Sequence, residues 1–155
     1  MKTDAEVLAA VDAAFGAVRK PHHFTNYQHC EECAEHDETL RSHDRDTLRV
    51  EHVNNPGWNP MCFCSVEGTA YYMPTLARFA LAPPAHEYDW YGDQLLFHLA
   101  GDGANNSFYE HCNAAQRQAV AGLLAHFVEA RPVQVEQSLS TDELLRTHER
   151  WSAAA

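Results

Sequence analysis

The segment from His29 to Glu38 concentrates side chains that bind metal ions or carry out thiol chemistry. It reads His-Cys-Glu-Glu-Cys-Ala-Glu-His-Asp-Glu. If a helix begins at Cys30, then Cys30 and Cys33 are neighbours on one face, because residues three apart in a helix lie side by side. His36 lies one turn further along that face, and His29 immediately precedes the helix. The pattern predicts four nitrogen or sulfur donors on one side, the ligand types of a zinc site.

A second pair of thiols follows at Cys62 and Cys64. In an extended backbone the two would point to the same face, because side chains alternate along a strand. Together with Cys30 and Cys33 they would supply the four donors of a tetrahedral structural zinc site. The alternative is that both are small core residues beside the neighbouring aromatic residues, since free cysteine is among the most buried residue types.

The pair Cys30 and Cys33 also has the spacing of a redox-active dithiol. A thiol at a helix N-terminus has a lowered pKa, because the helix dipole favours the thiolate. Against this reading, Glu31 and Glu32 place negative charge between the two thiols. The usual context of a redox pair, a strand that leads into the helix, is also missing from the sequence pattern.

Other sequence motifs exclude several common activities. A carboxylate-bridged metal site needs Glu and His three residues apart on facing helices, but Glu32 and His36 are four apart and have no second copy. The chain has no glycine-rich phosphate loop, no Gly-x-Ser-x-Gly elbow and no His-Glu-x-x-His. Nucleotide-dependent and hydrolytic enzymes of these types are therefore not indicated.

The charge balance is strongly acidic, with 22 Asp and Glu against 11 Lys and Arg, and a formal net charge of -11 at pH 7. Such a field repels nucleic-acid phosphates and anionic lipid surfaces. It favours cations or basic proteins as partners, or serves only to keep the protein soluble. The sequence predicts no nucleic-acid and no membrane partner.

The cysteine content and the N-terminus indicate a reducing compartment. The five cysteines are an odd number, and the chain starts Met-Lys-Thr-Asp-Ala-Glu, with carboxylates where a signal peptide is apolar. No segment offers the ~18 consecutive apolar residues of a membrane span. We therefore expect a cytoplasmic protein with reduced thiols and no disulfide framework.

Helical periodicity and capping signals predict an all-α domain of six or seven helices. Thr3 and Glu6 have capping-box spacing ahead of the first helix. Asn113 is placed to cap the longest helix, from Ala114 to Ala130. Pro74 is expected to break or kink the helix in which it lies.

The length and the order of these signals predict one domain over residues 1–155. The core is expected within residues 3–130. Residues 131–155 are expected to form a linker and a peripheral C-terminal helix, which docks late or weakly.

Three motifs in order are His29-Cys30-Glu31-Glu32-Cys33-Ala34-Glu35-His36, Asn55-Pro56-Gly57-Trp58-Asn59-Pro60 and Tyr71-Tyr72-Met73-Pro74. In this layout the chain resembles a family of small bacterial proteins known only as a domain of unknown function. The resemblance covers residues 5–130 and implies a stand-alone bacterial domain. It implies no activity and no catalytic residue.

The sequence favours a non-enzymatic binding or regulatory protein. In this interpretation a zinc ion steadies it at Cys30 and Cys33, completed by His29 or His36, or by Cys62 and Cys64. One alternative is an acidic, immunity-type inhibitor of a basic protein, because complementary charge speeds association. The other alternative is a thiol-redox enzyme or sensor.

Overall fold

The computed structural model describes residues 1–84, 88–101 and 105–153, which form an all-α domain, as predicted. Its α-helices are α1 (Asp4–Phe15), α2 (Glu31–Arg41), α3 (Val66–Leu81), α4 (Tyr91–Ala100), α5 (Ser107–His111), α6 (Ala114–Ala130), α7 (Pro132–Gln137) and α8 (Thr141–Ser152). Two short 3₁₀ helices span Val50–His52 and Pro60–Phe63. Helices α5 and α7 have only five and six residues, too few for a helical period to be visible in the sequence.

Helices α1 and α6 begin where the sequence predicts. The Thr3 hydroxyl accepts the Glu6 backbone N–H, and the Glu6 carboxylate accepts that of Thr3 (3.2 and 2.7 Å), which completes the predicted capping box of α1. Asn113 and Gln116 form the same reciprocal pair at the start of α6. Each box satisfies backbone donors that a helix N-terminus leaves unpaired.

The core lies where α1, α3, α4, α6 and α8 meet. Helix α1 packs against α6 and α3, α6 packs against α8, and α4 contacts both α3 and α8. The largest fully buried side chains are Trp151, Tyr72, Phe15, Phe24, Phe127, Leu40, Met73, Leu76, Leu95, Leu99, Leu123 and Leu124. Among the described residues, no helix is both long and apolar enough to cross a membrane.

The C-terminal helix α8 is more deeply packed than its place in the sequence predicts. Leu144 and Trp151 are each only 1% exposed. The Trp151 indole N–H donates to the Leu99 carbonyl at 2.9 Å, and the ring packs against Phe108 and Tyr109. The expected linker also contains helix α7, which begins at Pro132. The physical reason is that the apolar residues of α8 cover α6, the end of α4 and one face of α5.

Helix α3 runs through Pro74 without ending. A proline has no backbone N–H and distorts the preceding helical turn, so carbonyl groups of that turn can accept hydrogen bonds from other residues. The Arg45 guanidinium uses this opening, since its Nε donates to the Tyr71 carbonyl at 2.6 Å. Its other nitrogens donate to the carbonyls of Phe15, Gly16 and Val18 at 2.9–3.0 Å. Arg45 thereby links the end of α1 to the middle of α3.

The first residue of α1 is tied to the end of α6. The Asp4 carboxylate pairs with His126 Nε2 and with the Arg131 guanidinium, both at 2.7 Å. Arg131 also donates to the Leu81 carbonyl at 2.8 Å. These contacts join the start of α1, the end of α6 and the C-terminus of α3.

Helix α2 lies at the edge of this core. It packs against the 3₁₀ helix Pro60–Phe63 and buries Leu40. The Tyr72 hydroxyl of α3 lies 2.6 Å from the Leu40 carbonyl and 2.8 Å from that of His43. The C-terminal end of α2 is therefore fixed to the core, and its N-terminal end carries the candidate site.

Candidate metal and thiol site

His29, Cys30 and Cys33 converge at the N-terminus of α2. One ligand atom from each lies within 4.8 Å of the others, the one such grouping of His, Cys, Asp or Glu found in the described part of the chain. Cys33 Sγ lies 3.7 Å from His29 Nδ1. Cys30 Sγ accepts the Cys33 backbone N–H at 3.4 Å. The three-residue spacing of the thiols predicts that Cys30 and Cys33 are neighbours, but the predicted set of donors is larger than these three residues.

Cys30 is the N-cap residue of α2. Its backbone is extended (φ -163°, ψ 171°), and its sulfur takes the position in which a Ser, Thr, Asp or Asn oxygen usually accepts the N3 backbone N–H. The sulfur is held at the surface, because Cys30 and His29 are exposed whereas Cys33 is only 6% exposed. The site therefore has an open side formed by His29 and Cys30 and a closed side formed by Cys33.

The two thiols have opposite electrostatic environments. The Cys33 backbone N–H, the Cys33 side chain and His29 lower the pKa of Cys30 to about 7. The pKa of Cys33 is raised, chiefly by its hydrogen bond to Cys30 and then by burial, with a further effect of the Glu32 charge. The acidic Glu32 thus adds to the raised pKa of Cys33, whereas hydrogen-bond donors from the backbone and side chains lower the pKa of Cys30.

The loop before α2 is held in place by Asp37, which is 3% exposed. Its carboxylate accepts the backbone N–H groups of Phe24 (2.6 Å) and Thr25 (3.1 Å) and pairs with His23 Nδ1 at 2.7 Å. The Thr25 hydroxyl donates to the Cys33 carbonyl at 2.6 Å. These bonds fix the path of the loop that ends at His29.

Asp37, His23 and Thr25 were not among the predicted site residues. A signal for Asp37 was present, because Cys33, Asp37 and Leu40 follow each other at four and three residues and so share the buried face of α2. A buried carboxylate needs donors, and the loop before the helix supplies them.

His36 lies outside the group, although it was predicted as a ligand. Its side chain is fully buried, and its ring packs against Trp58 and Phe63 at centroid distances of 4.5 and 4.8 Å. Its Nε2 lies 3.1 Å from the Glu32 carboxylate. His36 therefore attaches the segment 58–63 to α2 and is not close enough to the thiols to join their grouping.

Cys62 and Cys64 also lie outside the group. The backbone around them forms a 3₁₀ helix in place of the expected extended segment, because Pro60 begins it and Asn59 caps the Met61 N–H. Cys62 is exposed, whereas burial raises the pKa of the Cys64 thiol to about 12. Cys64 sulfur fills the space beside Gly68, where a Cβ atom would lie 2.5 Å from it. Cys64 thus packs against the core, as the alternative for the pair predicts, whereas the exposed Cys62 does not.

Comparisons with known proteins give no relative from which a function could be transferred: no family model, no curated protein and no solved structure matches this chain.

Proposed function

We propose that this protein is a non-enzymatic binding or regulatory protein that holds one zinc ion through His29, Cys30 and Cys33. The observation that carries the proposal is the convergence of one imidazole and two thiols within 4.8 Å. Thiolate sulfur and imidazole nitrogen are the ligands that zinc prefers in proteins. The acidic residues beside the site, and the net charge of -11, favour a cation there.

The spacing of the donors supports this choice of ion. Zinc binds sulfur at about 2.3 Å and nitrogen at about 2.0–2.1 Å, so two donors of one tetrahedral ion are about 3.4–3.8 Å apart. The distance of 3.7 Å between Cys33 Sγ and His29 Nδ1 already lies in this range. Small side-chain rotations of the exposed Cys30 would bring the third donor to the same distance.

Three protein donors leave the fourth tetrahedral position to water or to a ligand from outside the chain. The position faces solvent, because His29 and Cys30 are exposed. A zinc ion bound here would be available to a partner or a small-molecule ligand, which suits a binding or regulatory role.

The test is zinc stoichiometry and affinity in matched variants. The purified, reduced protein is expected to retain one zinc ion per chain after dialysis. Cys30→Ser and Cys33→Ser are each expected to weaken zinc binding by about 100-fold or more, since even residues that only orient a ligand account for about 10–100-fold. Competition with a chromogenic chelator measures the affinity.

Cys62→Ser is the control, because Cys62 is an exposed thiol outside the cluster. It is expected to bind zinc as the wild type does. The proposal would be overturned by a wild-type protein that retains no zinc, or by an equal loss of zinc in Cys62→Ser and Cys30→Ser.

A further inference from the structure

The same two sulfurs have an arrangement that is suited to oxidation. Cys30 is exposed and is the N-cap of α2, whereas Cys33 is buried in the first turn of this helix. Their sulfur atoms lie within 4.8 Å of each other, so a rotation of the Cys30 side chain can bring them to the S–S bond length of about 2 Å. Cys30 precedes the helix in an extended conformation, so its side chain can turn towards Cys33 without a change in the helix.

We infer that Cys30 and Cys33 form a redox-active dithiol that reduces an uncharged hydroperoxide and closes to an intramolecular disulfide. Cys30 is the attacking sulfur, because it alone of the two is open to solvent. Cys33 is the resolving sulfur, shielded from direct oxidation. This activity goes beyond zinc binding and does not require the ion.

The reaction has two balanced steps. Cys30 sulfur attacks one peroxide oxygen; the S–O bond forms, the O–O bond breaks, and the alcohol or water leaves with the Cys30 thiol proton. The sulfur loses two electrons to the peroxide and becomes a sulfenic acid. Cys33 sulfur then attacks Cys30 sulfur, the S–S bond forms, and the hydroxyl leaves as water with the Cys33 proton. His29 Nδ1, 3.7 Å from Cys33 Sγ, is placed to pass on that proton.

The charge around the site selects the oxidant. Glu31 is exposed, Glu32 is half-buried, and both lie between the two thiols in the first turn of the helix. Anionic oxidants such as oxidised glutathione are repelled by these carboxylates, whereas hydrogen peroxide carries no charge. The substrate class is therefore a small, neutral hydroperoxide.

The experiment treats the metal-free, reduced full chain, in chelator, with equimolar hydrogen peroxide. Peptide mass mapping is expected to find a Cys30–Cys33 disulfide, with Cys62 still reduced. Cys33→Ser is expected to accumulate a sulfenic acid at Cys30 that dimedone traps, and Cys30→Ser is expected to leave Cys33 reduced. At low salt, oxidised glutathione is expected to react about tenfold more slowly than hydrogen peroxide at the same concentration. High salt is expected to reduce this difference in rate.

Oxidation of Cys30 to the sulfinic acid in the wild type, prior oxidation of Cys62, or equal rates with both oxidants would overturn the inference. Because the assay excludes metal, its outcome is independent of whether zinc binds. A zinc-loaded sample run in parallel separates the two proposals. Bound zinc is expected to slow the oxidation of Cys30. If zinc does not slow it, the assignment of the zinc ligands is wrong, but the oxidation proposal still stands.

Discussion

Asp37 fixes the loop before the candidate site to helix α2 through hydrogen bonds with His23, Phe24 and Thr25. Burial by itself raises the pKa of Asp37, but hydrogen bonds from His23 and from the backbone of Phe24 and Thr25 outweigh burial and hold the pKa below its usual value. A carboxyl with a lowered pKa in the folded state stabilises the fold above its unfolded pKa of about 3.9. That stabilisation is lost as the pH falls through the lower folded pKa.

Asp37→Asn is expected to lower the free energy of unfolding at pH 7 by about 3 kcal/mol, because an amide cannot accept the same charge-assisted bonds. The difference from the wild type is expected to shrink as the pH is lowered from about 5 towards 2, where the wild-type carboxyl is protonated too. Urea unfolding at several pH values measures it. Asp12→Asn, an exposed change on α1, is the control and is expected to have little effect. A cost independent of pH would contradict the role assigned to the carboxylate.

At the residue scale, the sequence predicts the part of the site that depends on local spacing. His29, Cys30 and Cys33 lie within five positions, so the start of α2 alone brings them together. The placement of His36 depends on Trp58 and Phe63, which come from a distant segment and pack against its ring. No local pattern could predict that contact.

At the scale of elements, helix starts are easier to predict than helix packing. The caps of α1 and α6 are local signals, and both appear in the structure. The passage of α3 through Pro74 depends on Arg45, a residue of another segment that donates to the opened turn. The burial of α8 depends on its contacts with α4, α5 and α6. The sequence of α8 alone does not reveal these contacts.

Trp151→Ala tests the packing of α8. The change removes a side chain that is 1% exposed and a hydrogen bond to Leu99, so the free energy of unfolding is expected to fall by about 3–5 kcal/mol. Leu145→Ala, on the same helix but 50% exposed, is the matched control and is expected to cost about 1 kcal/mol or less. Chemical denaturation measures both. Equal, small effects would mean that α8 is peripheral, as the sequence alone suggests.

At the scale of the whole molecule, the hydrophobic core and the candidate site are separate. The core joins α1, α3, α4, α6 and α8, whereas the three donors lie at the outer end of α2. The ligands span only residues 29–33, so an ion there closes a short loop and joins no distant parts of the chain. Zinc is therefore expected to add stability to a fold that already exists without it.

Removal of zinc by a chelator is expected to lower the Tm by about 5–10 °C relative to a sample with free zinc at 100 times its Kd, from the linkage of binding to unfolding. The far-ultraviolet circular dichroism at 25 °C is expected to remain helical, since the core does not contact the ion. Thermal melts with and without chelator, repeated on Cys30→Ser, provide the measurement. Loss of the helical signal on chelation would instead make the ion a requirement for folding.

The contact of Asp4 with His126 and Arg131 has a consequence for synthesis of the chain. The apolar face of α1 packs against α3 and α6, and α6 is translated about 100 positions later. At about 5–20 residues per second, helix α1 waits roughly 5–20 s for α6 to be synthesised. Until then Val7, Val11 and Phe15, which are buried in the folded protein, lack the α6 surface that covers them.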